Sequence, residues 1–128
     1  MYYQKPPRVN TRDMTTLAHA KITIYKPKLL LVLSSDDYPI YQYPVAIGKK
    51  NTPTPNGEYH IANKIYYPGG LLGSRWLGLD YDAYGIHGTN RPWSIGTMAS
   101  NGCIRMYNHH VETLFDLVTI GTPVFIRD

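Results

Sequence analysis

Only one segment of this 128-residue chain, the stretch after Met106, places apolar residues at helical spacing. Val111, Leu114, Leu117 and Val118 share one face there, with Asn108 as the expected N-cap, Glu112 in the first turn and Gly121 as the expected stop. Elsewhere short runs with strand character are cut by proline and glycine. Lys21 to Tyr25 alternates, Pro27 breaks it, and Leu29 to Leu33 is a continuous apolar run suited to a buried strand. Ser34 to Asp37 carries turn chemistry, and Tyr38 to Ile47 alternates again, so 29–47 reads as a hairpin. Gly48 to Asn56 is a Pro/Thr loop leading into a strand over Gly57 to Ile65. Tyr66 to Gly73 reads as a flexible flap beside a groove. Trp76 to Leu79 and Tyr84 to His87 read as two short strands, Asn90 to Ala99 as a loop, and Thr122 to Arg127 as a closing strand. The expectation is a mainly β, single-domain, sandwich-like fold with one packed helix near the C-terminus. Residues 1–19 form an N-terminal arm or edge strand, and 20–128 the folded domain.

Composition bounds what such a domain does. A chain of this length buries enough surface to fold without disulfides, and a single cysteine excludes an internal one. The net charge is +4, but the thirteen Lys and Arg residues are scattered, without a recognition-helix or zinc-finger pattern, which argues against nucleic acid. Met1 to Arg12 lacks the apolar core of a signal peptide, and no apolar run is long enough to span a bilayer. Metal binding by Cys103 and His87 needs two further ligands at conventional spacing. None is offered, and the adjacent His109 and His110 lack chelating spacing. Neither metal nor cofactor is expected.

The one cysteine lies in Ser100-Asn101-Gly102-Cys103-Ile104-Arg105-Met106, sixteen positions after His87 in Ile86-His87-Gly88-Thr89-Asn90. A cysteine nucleophile needs an imidazole to take its proton and a small preceding residue so that backbone N–H groups converge on a developing oxyanion. A lone cysteine also serves as a small buried hydrophobe, and the residues alone leave both readings open. If His87 reaches Cys103, the pair is expected as thiolate and imidazolium, with the thiol pKa lowered to roughly 4 to 7. Asn101, Gly102 and Cys103 are the candidate oxyanion-hole amides. Arg105 falls on the face of Cys103 if a strand continues there; it holds either a substrate carboxylate or a structural carboxylate such as Asp80 or Asp82. Tyr66, Tyr67, Trp76, Tyr81, Tyr84 and Trp93 flank the motifs and suit either a ligand groove or ordinary packing.

These two elements, with Thr52-Pro53-Thr54-Pro55-Asn56-Gly57-Glu58-Tyr59, resemble the L,D-transpeptidase catalytic domain of the YkuD family from about residue 20 to the C-terminus. The family signature is a His-Gly element followed by Ser/Thr-x-Gly-Cys-[Ile/Val/Leu]-[Arg/Asn]. Many members carry His where this chain has Asn101. The resemblance implies a peptidoglycan L,D-transpeptidase. Cys103 attacks the third residue of a donor tetrapeptide stem, D-alanine leaves, and an acceptor amine completes a 3→3 cross-link. It further implies that His87 is oriented by the main-chain carbonyl of Gly88, with Ser100, Arg105, Tyr84 and Trp76 toward substrate. Carbapenems are implied as covalent inhibitors, a monomer is expected, and the substrate class places the protein at the cell wall or in a spore. Two alternatives stand beside this reading. One is a Cys/His L,D-carboxypeptidase or amidase on the same site; the other is a non-catalytic wall-binding module.

Overall fold

The computed structural model describes residues 16–128. The expected arm or edge strand over 1–19 therefore lies mostly outside the described residues. Of its last part, Leu17 is buried in the core and its N–H bonds the Leu117 carbonyl at 2.8 Å.

Among the described residues there are ten strands and one α-helix: β1 (Ala20–Tyr25), β2 (Leu30–Ser35), β3 (Tyr38–Pro44), β4 (Ile47–Gly48), β5 (Gly57–Tyr66), β6 (Arg75–Leu79), β7 (Gly85–His87), β8 (Met98–Ser100), β9 (Ile104–Arg105), α1 (Asn108–Leu117) and β10 (Pro123–Arg127). Eight strands form one sheet in the order β3-β2-β1-β10-β5-β6-β7-β9, and β4 and β8 pair separately. Most neighbours are antiparallel; β1 with β10, β7 with β9, and β4 with β8 are parallel. The outermost strands meet. Ala46, just past β3, exchanges both backbone hydrogen bonds with Arg105 of β9 at 2.9 Å. The sheet is thus curled nearly closed, with the sandwich-like mainly β character expected from the sequence.

Inward residues fill the space between. Ile22, Ile24, Leu31, Leu33, Tyr41, Ile61, Leu77, Ile86 and Ile104 are essentially inaccessible to solvent, and α1 adds Val111, Leu114, Phe115 and Leu117. The Lys64 ammonium donates to the carbonyls of Phe115 and Val118 at 2.6 and 2.8 Å, placing a cation at the C-terminal end of α1, where the helix dipole favours one.

Several local expectations are corrected. The turn between β2 and β3 is only Asp36–Asp37, both at positive φ, with their carboxylates tied to His19 and Lys21; Ser34 and Ser35 remain in the strand. The run from Tyr38 to Ile47 is two strands. Past Pro44 the chain leaves β2, Val45 bonds Leu29, and β4 pairs with β8, so part of the expected 90–99 loop is a strand. The Tyr66–Gly73 segment ends in a hydrogen-bonded turn, with the Arg75 guanidinium 4.8 and 4.6 Å from the Tyr66 and Tyr67 ring centres. The N-cap position of α1 is Tyr107, because the Asn108 side chain is engaged by other segments. The helix ends at Leu117, and Gly121 serves the following turn instead.

Candidate active site

The parallel pairing of β7 with β9 brings the two motifs together. His87 is in register with Arg105 across that pair, and with Trp76 across β6–β7. Paired residues of adjacent strands face the same side, so Trp76, His87 and Arg105 form one row. The Trp76 ring stacks on the imidazole with centroids 5.8 Å apart, and His87 is left 4% exposed. Its Nδ1 lies 2.5 Å from the Gly88 carbonyl oxygen. A carbonyl only accepts, so Nδ1 carries the proton and Nε2 is left as the acceptor.

Cys103 lies just before β9, half-buried, and its Sγ is 3.8 Å from the Ala83 carbonyl oxygen. No hydrogen bond joins Cys103 to His87 among the described residues. Burial raises the thiol pKa, against a backbone hydrogen bond from Gly85 and the Arg105 cation. Burial also pushes His87 down to about 4; the Gly88 carbonyl opposes this and Arg105 adds to it. Both directions oppose the expected thiolate–imidazolium pair, which needs a lowered thiol and a raised imidazole. The reason is desolvation: a sealed imidazole and a half-buried thiol both resist charge when no substrate is bound.

Gly102 has φ +123, a conformation open to glycine and strained for other residues, and a Cβ there would stand 2.5 Å from a carbon of the Tyr84 ring. Tyr84 stacks on Tyr81, and Tyr81 on Tyr59, at 5.6 and 5.4 Å. Ser100 is buried, at 2% exposure. Its hydroxyl donates to the Cys103 carbonyl at 2.6 Å and accepts from the Gly102 N–H at 3.1 Å. The Gly102 amide is thus committed inside the loop, whereas those of Asn101 and Cys103 bond nothing among the described residues. Through these two bonds Ser100 braces its own loop.

The Arg105 guanidinium donates to Ser94 Oγ at 3.3 Å. No carboxylate lies within ion-pair distance of it among the described residues. Asp80, one expected partner, instead accepts from the His60 N–H at 2.8 Å and contacts the His60 ring at 3.1 Å. The structural ion pair considered for Arg105 is not formed.

Four residues outside the expected set, Lys49, Thr52, Thr54 and Asn108, support the site. Thr52 Oγ1 and the Lys49 N–H donate to the Ser100 carbonyl at 2.9 and 3.0 Å, and Thr54 Oγ1 accepts from the Gly48 N–H at 2.9 Å. The Pro/Thr loop thus backs the loop that carries Cys103. The Asn108 carboxamide accepts from the N–H groups of Ser74 and Thr89 at 3.1 and 3.0 Å, and donates to the Thr89 carbonyl at 3.0 Å. Of these, only the Thr/Pro motif carried a sequence signal. Among the described residues no three His, Cys, Asp or Glu side chains gather as a metal site.

Residues 19–126 match the family described as YkuD, L,D-transpeptidase catalytic domain. A Bacillus subtilis protein named as an L,D-transpeptidase, YkuD, is 49% identical over 97 residues, covering 76% of this chain and 59% of that protein. The chain spans less than two thirds of the length of the curated relatives it matches at this level. An L,D-transpeptidase from Mycobacterium smegmatis superposes with a TM-score of 0.78 at 18% identity, covering 88% of this chain and 60% of that one. L,D-transpeptidase 3 from Mycobacterium tuberculosis, in complex with a faropenem-derived adduct, gives 0.76 at 17% identity, covering 88% and 62%. At these identities the two structures speak to the fold.

Proposed function

This chain belongs to the L,D-transpeptidase catalytic-domain family, and from that premise we propose that it is a cysteine-dependent acyltransferase acting on peptidoglycan stem peptides. The observation that carries the reading is the His87 tautomer: with Nδ1 bound to the Gly88 carbonyl, Nε2 is the one ring position able to take a proton. In the first half-reaction the Cys103 thiol proton moves to Nε2 as Sγ bonds to the carbonyl carbon of the third stem residue. The oxyanion is met by the free amides of Asn101 and Cys103, with Gly102 supplying the close approach. The C–N bond breaks, His87 returns the proton to the departing D-alanine amine, and a thioester remains. In the second half-reaction an acceptor amine attacks the thioester, His87 takes the amine proton, and Cys103 leaves as the thiol. An acceptor-stem amine gives the 3→3 cross-link, and water gives the hydrolysed stem. Arg105, a cation without a carboxylate partner among the described residues, suits a carboxylate of the donor. Peptidoglycan as substrate places the activity outside the cytoplasmic membrane. No helix among the described residues is long and apolar enough to cross a membrane.

The test is intact mass after incubation with a carbapenem, beside a Cys103→Ser variant, followed by product analysis with tetrapeptide stems. The mycobacterial relative with its faropenem-derived adduct makes β-lactams the natural probe. One stoichiometric adduct on the wild type alone, with D-alanine release and cross-linked product, is the expected result. Folded protein that gives no adduct and releases no D-alanine overturns the reading.

A further inference from the structure

The chain holds the carbonyl that orients His87 from its far side. The Gly88 carbonyl and the Thr89 N–H are the two ends of a single peptide unit, which is planar and trans, so they point in opposite directions. His87 Nδ1 grips the carbonyl end at 2.5 Å, and Asn108 Oδ1 grips the N–H end at 3.0 Å. Asn108 Nδ2 also donates to the Thr89 carbonyl at 3.0 Å, which fixes the next peptide unit. Its Oδ1 takes a further N–H from Ser74, at the base of the connection between β5 and β6. Two donors facing one carboxamide atom and an acceptor facing the other leave a single assignment of O and N. Space is kept for it: a Cβ on Gly73 or on Gly88 would collide with Asn108 Oδ1, and Gly73 has φ +68.

We infer that Asn108 is a positioning residue for the acyl-transfer reaction, holding the Gly88–Thr89 peptide so that His87 stays in the Nδ1–H tautomer with Nε2 as proton acceptor. The inference rests on the proposed function for its chemistry and on the hydrogen bonds above for its geometry. Asn108 touches neither the thiol nor the imidazole, so its effect reaches the reaction only through that peptide. Loss of the grip lets the peptide rotate, the carbonyl leaves Nδ1, and the ring populates both tautomers. Misplacement on that scale costs on the order of 10- to 100-fold in rate.

The experiment compares wild type, Asn108→Ala and Asn108→Asp by ¹⁵N shifts of the His87 ring and by carbapenem acylation, resolved into a dissociation constant and a rate constant at saturation. The wild type is expected to show one tautomer. Asn108→Ala is expected to show two, with the saturating rate constant reduced by on the order of 10- to 100-fold and the dissociation constant nearly unchanged. Asn108→Asp keeps the acceptor for both N–H groups but sets a carboxylate oxygen against the Thr89 carbonyl. Its rate relative to wild type should therefore rise as pH falls and the acid regains a proton to donate. This second variant decides the matter if Asn108→Ala loses its cooperative thermal transition. A folded Asn108→Ala with the wild-type tautomer and rate, or an Asn108→Asp deficit that does not vary with pH, overturns the inference. If the wild type itself takes no carbapenem, the proposed function fails instead, and the tautomer measurement still judges Asn108.

Discussion

His87 and Arg105 are cross-strand partners on the parallel pair β7–β9, and no carboxylate neutralises the guanidinium among the described residues. A buried imidazole beside a fixed cation is disfavoured as imidazolium twice over, once by desolvation and once by like charge. Arg105→Gln removes the second cause. The His87 pKa should then rise from about 4 toward its ordinary value, read by NMR titration of the ring. An unchanged titration would separate the two residues electrostatically.

The upward shift of the Cys103 thiol and the downward shift of His87 predict how the free thiol behaves. Cys103 should react with iodoacetamide no faster than an ordinary cysteine at neutral pH, and its rate should climb with pH through the free-thiol value of about 8.5 and beyond. His87→Ala should leave that profile unchanged while abolishing acylation by a carbapenem. A rate plateau reaching down to pH 5 in the wild type, lost in His87→Ala, would mean a preformed ion pair instead.

The depressed His87 pKa also ties folding to pH. Unfolded, the ring titrates near 6.5; folded, near 4. Between those values the unfolded chain binds the proton and the folded one resists it. Stability from this group is therefore fully present above about pH 6.5 and is lost as pH falls toward 4, with a total of about 3 kcal/mol. Denaturant melts at pH 7 and pH 4.5 should show the loss, and His87→Phe should reduce it. An equal pH dependence in the variant would assign the effect to other groups.

Gly102→Ala meets both a strained φ and the Tyr84 ring. The substitution should destabilise the protein by roughly 1 to 3 kcal/mol and abolish acylation. Adding Tyr84→Gly relieves the collision and leaves the backbone strain, so the double variant should recover stability only in part. Full recovery would place the whole cost in the ring contact.

Ser100→Ala distinguishes a loop brace from a substrate contact. Removing the hydroxyl leaves the buried Gly102 N–H unpaired, at a cost of about 1 to 3 kcal/mol in stability. KM for a donor tetrapeptide should stay near wild type. A raised KM with unchanged stability would return Ser100 to the substrate side.

The residues that the proposed chemistry would use stand out in the sequence because few residue types do such chemistry: one thiol, one His-Gly, one glycine before the cysteine. The buried face of α1 was legible because Val111, Leu114, Leu117 and Val118 repeat at its period. What escaped depends on tertiary partners. Asn108 reads as a helix cap from local sequence, yet its carboxamide is claimed by Ser74 and Thr89. Ser100 reads as a motif residue facing substrate, yet it turns inward onto its own loop. Tyr38 to Ile47 alternates without interruption, yet after Pro44 the chain leaves β2 and crosses to the far edge of the sheet, where Ala46 bonds Arg105. The charge state of the site was not legible either, since it follows from how completely Trp76 and the strands around His87 exclude water.

The bridge between Ala46 and Arg105 joins the two outermost strands of the sheet across a long stretch of chain. Contacts of such separation carry a larger loop-closure cost than local ones. The loop that carries Cys103 leads directly into β9, the strand held by that closure. A nascent or half-folded chain therefore carries a thiol with no more selectivity than a cysteine in solution. For the proposed acyl transfer, reactivity toward an acyl donor is then a test of completed folding, and a ruptured bridge should abolish it before the domain unfolds.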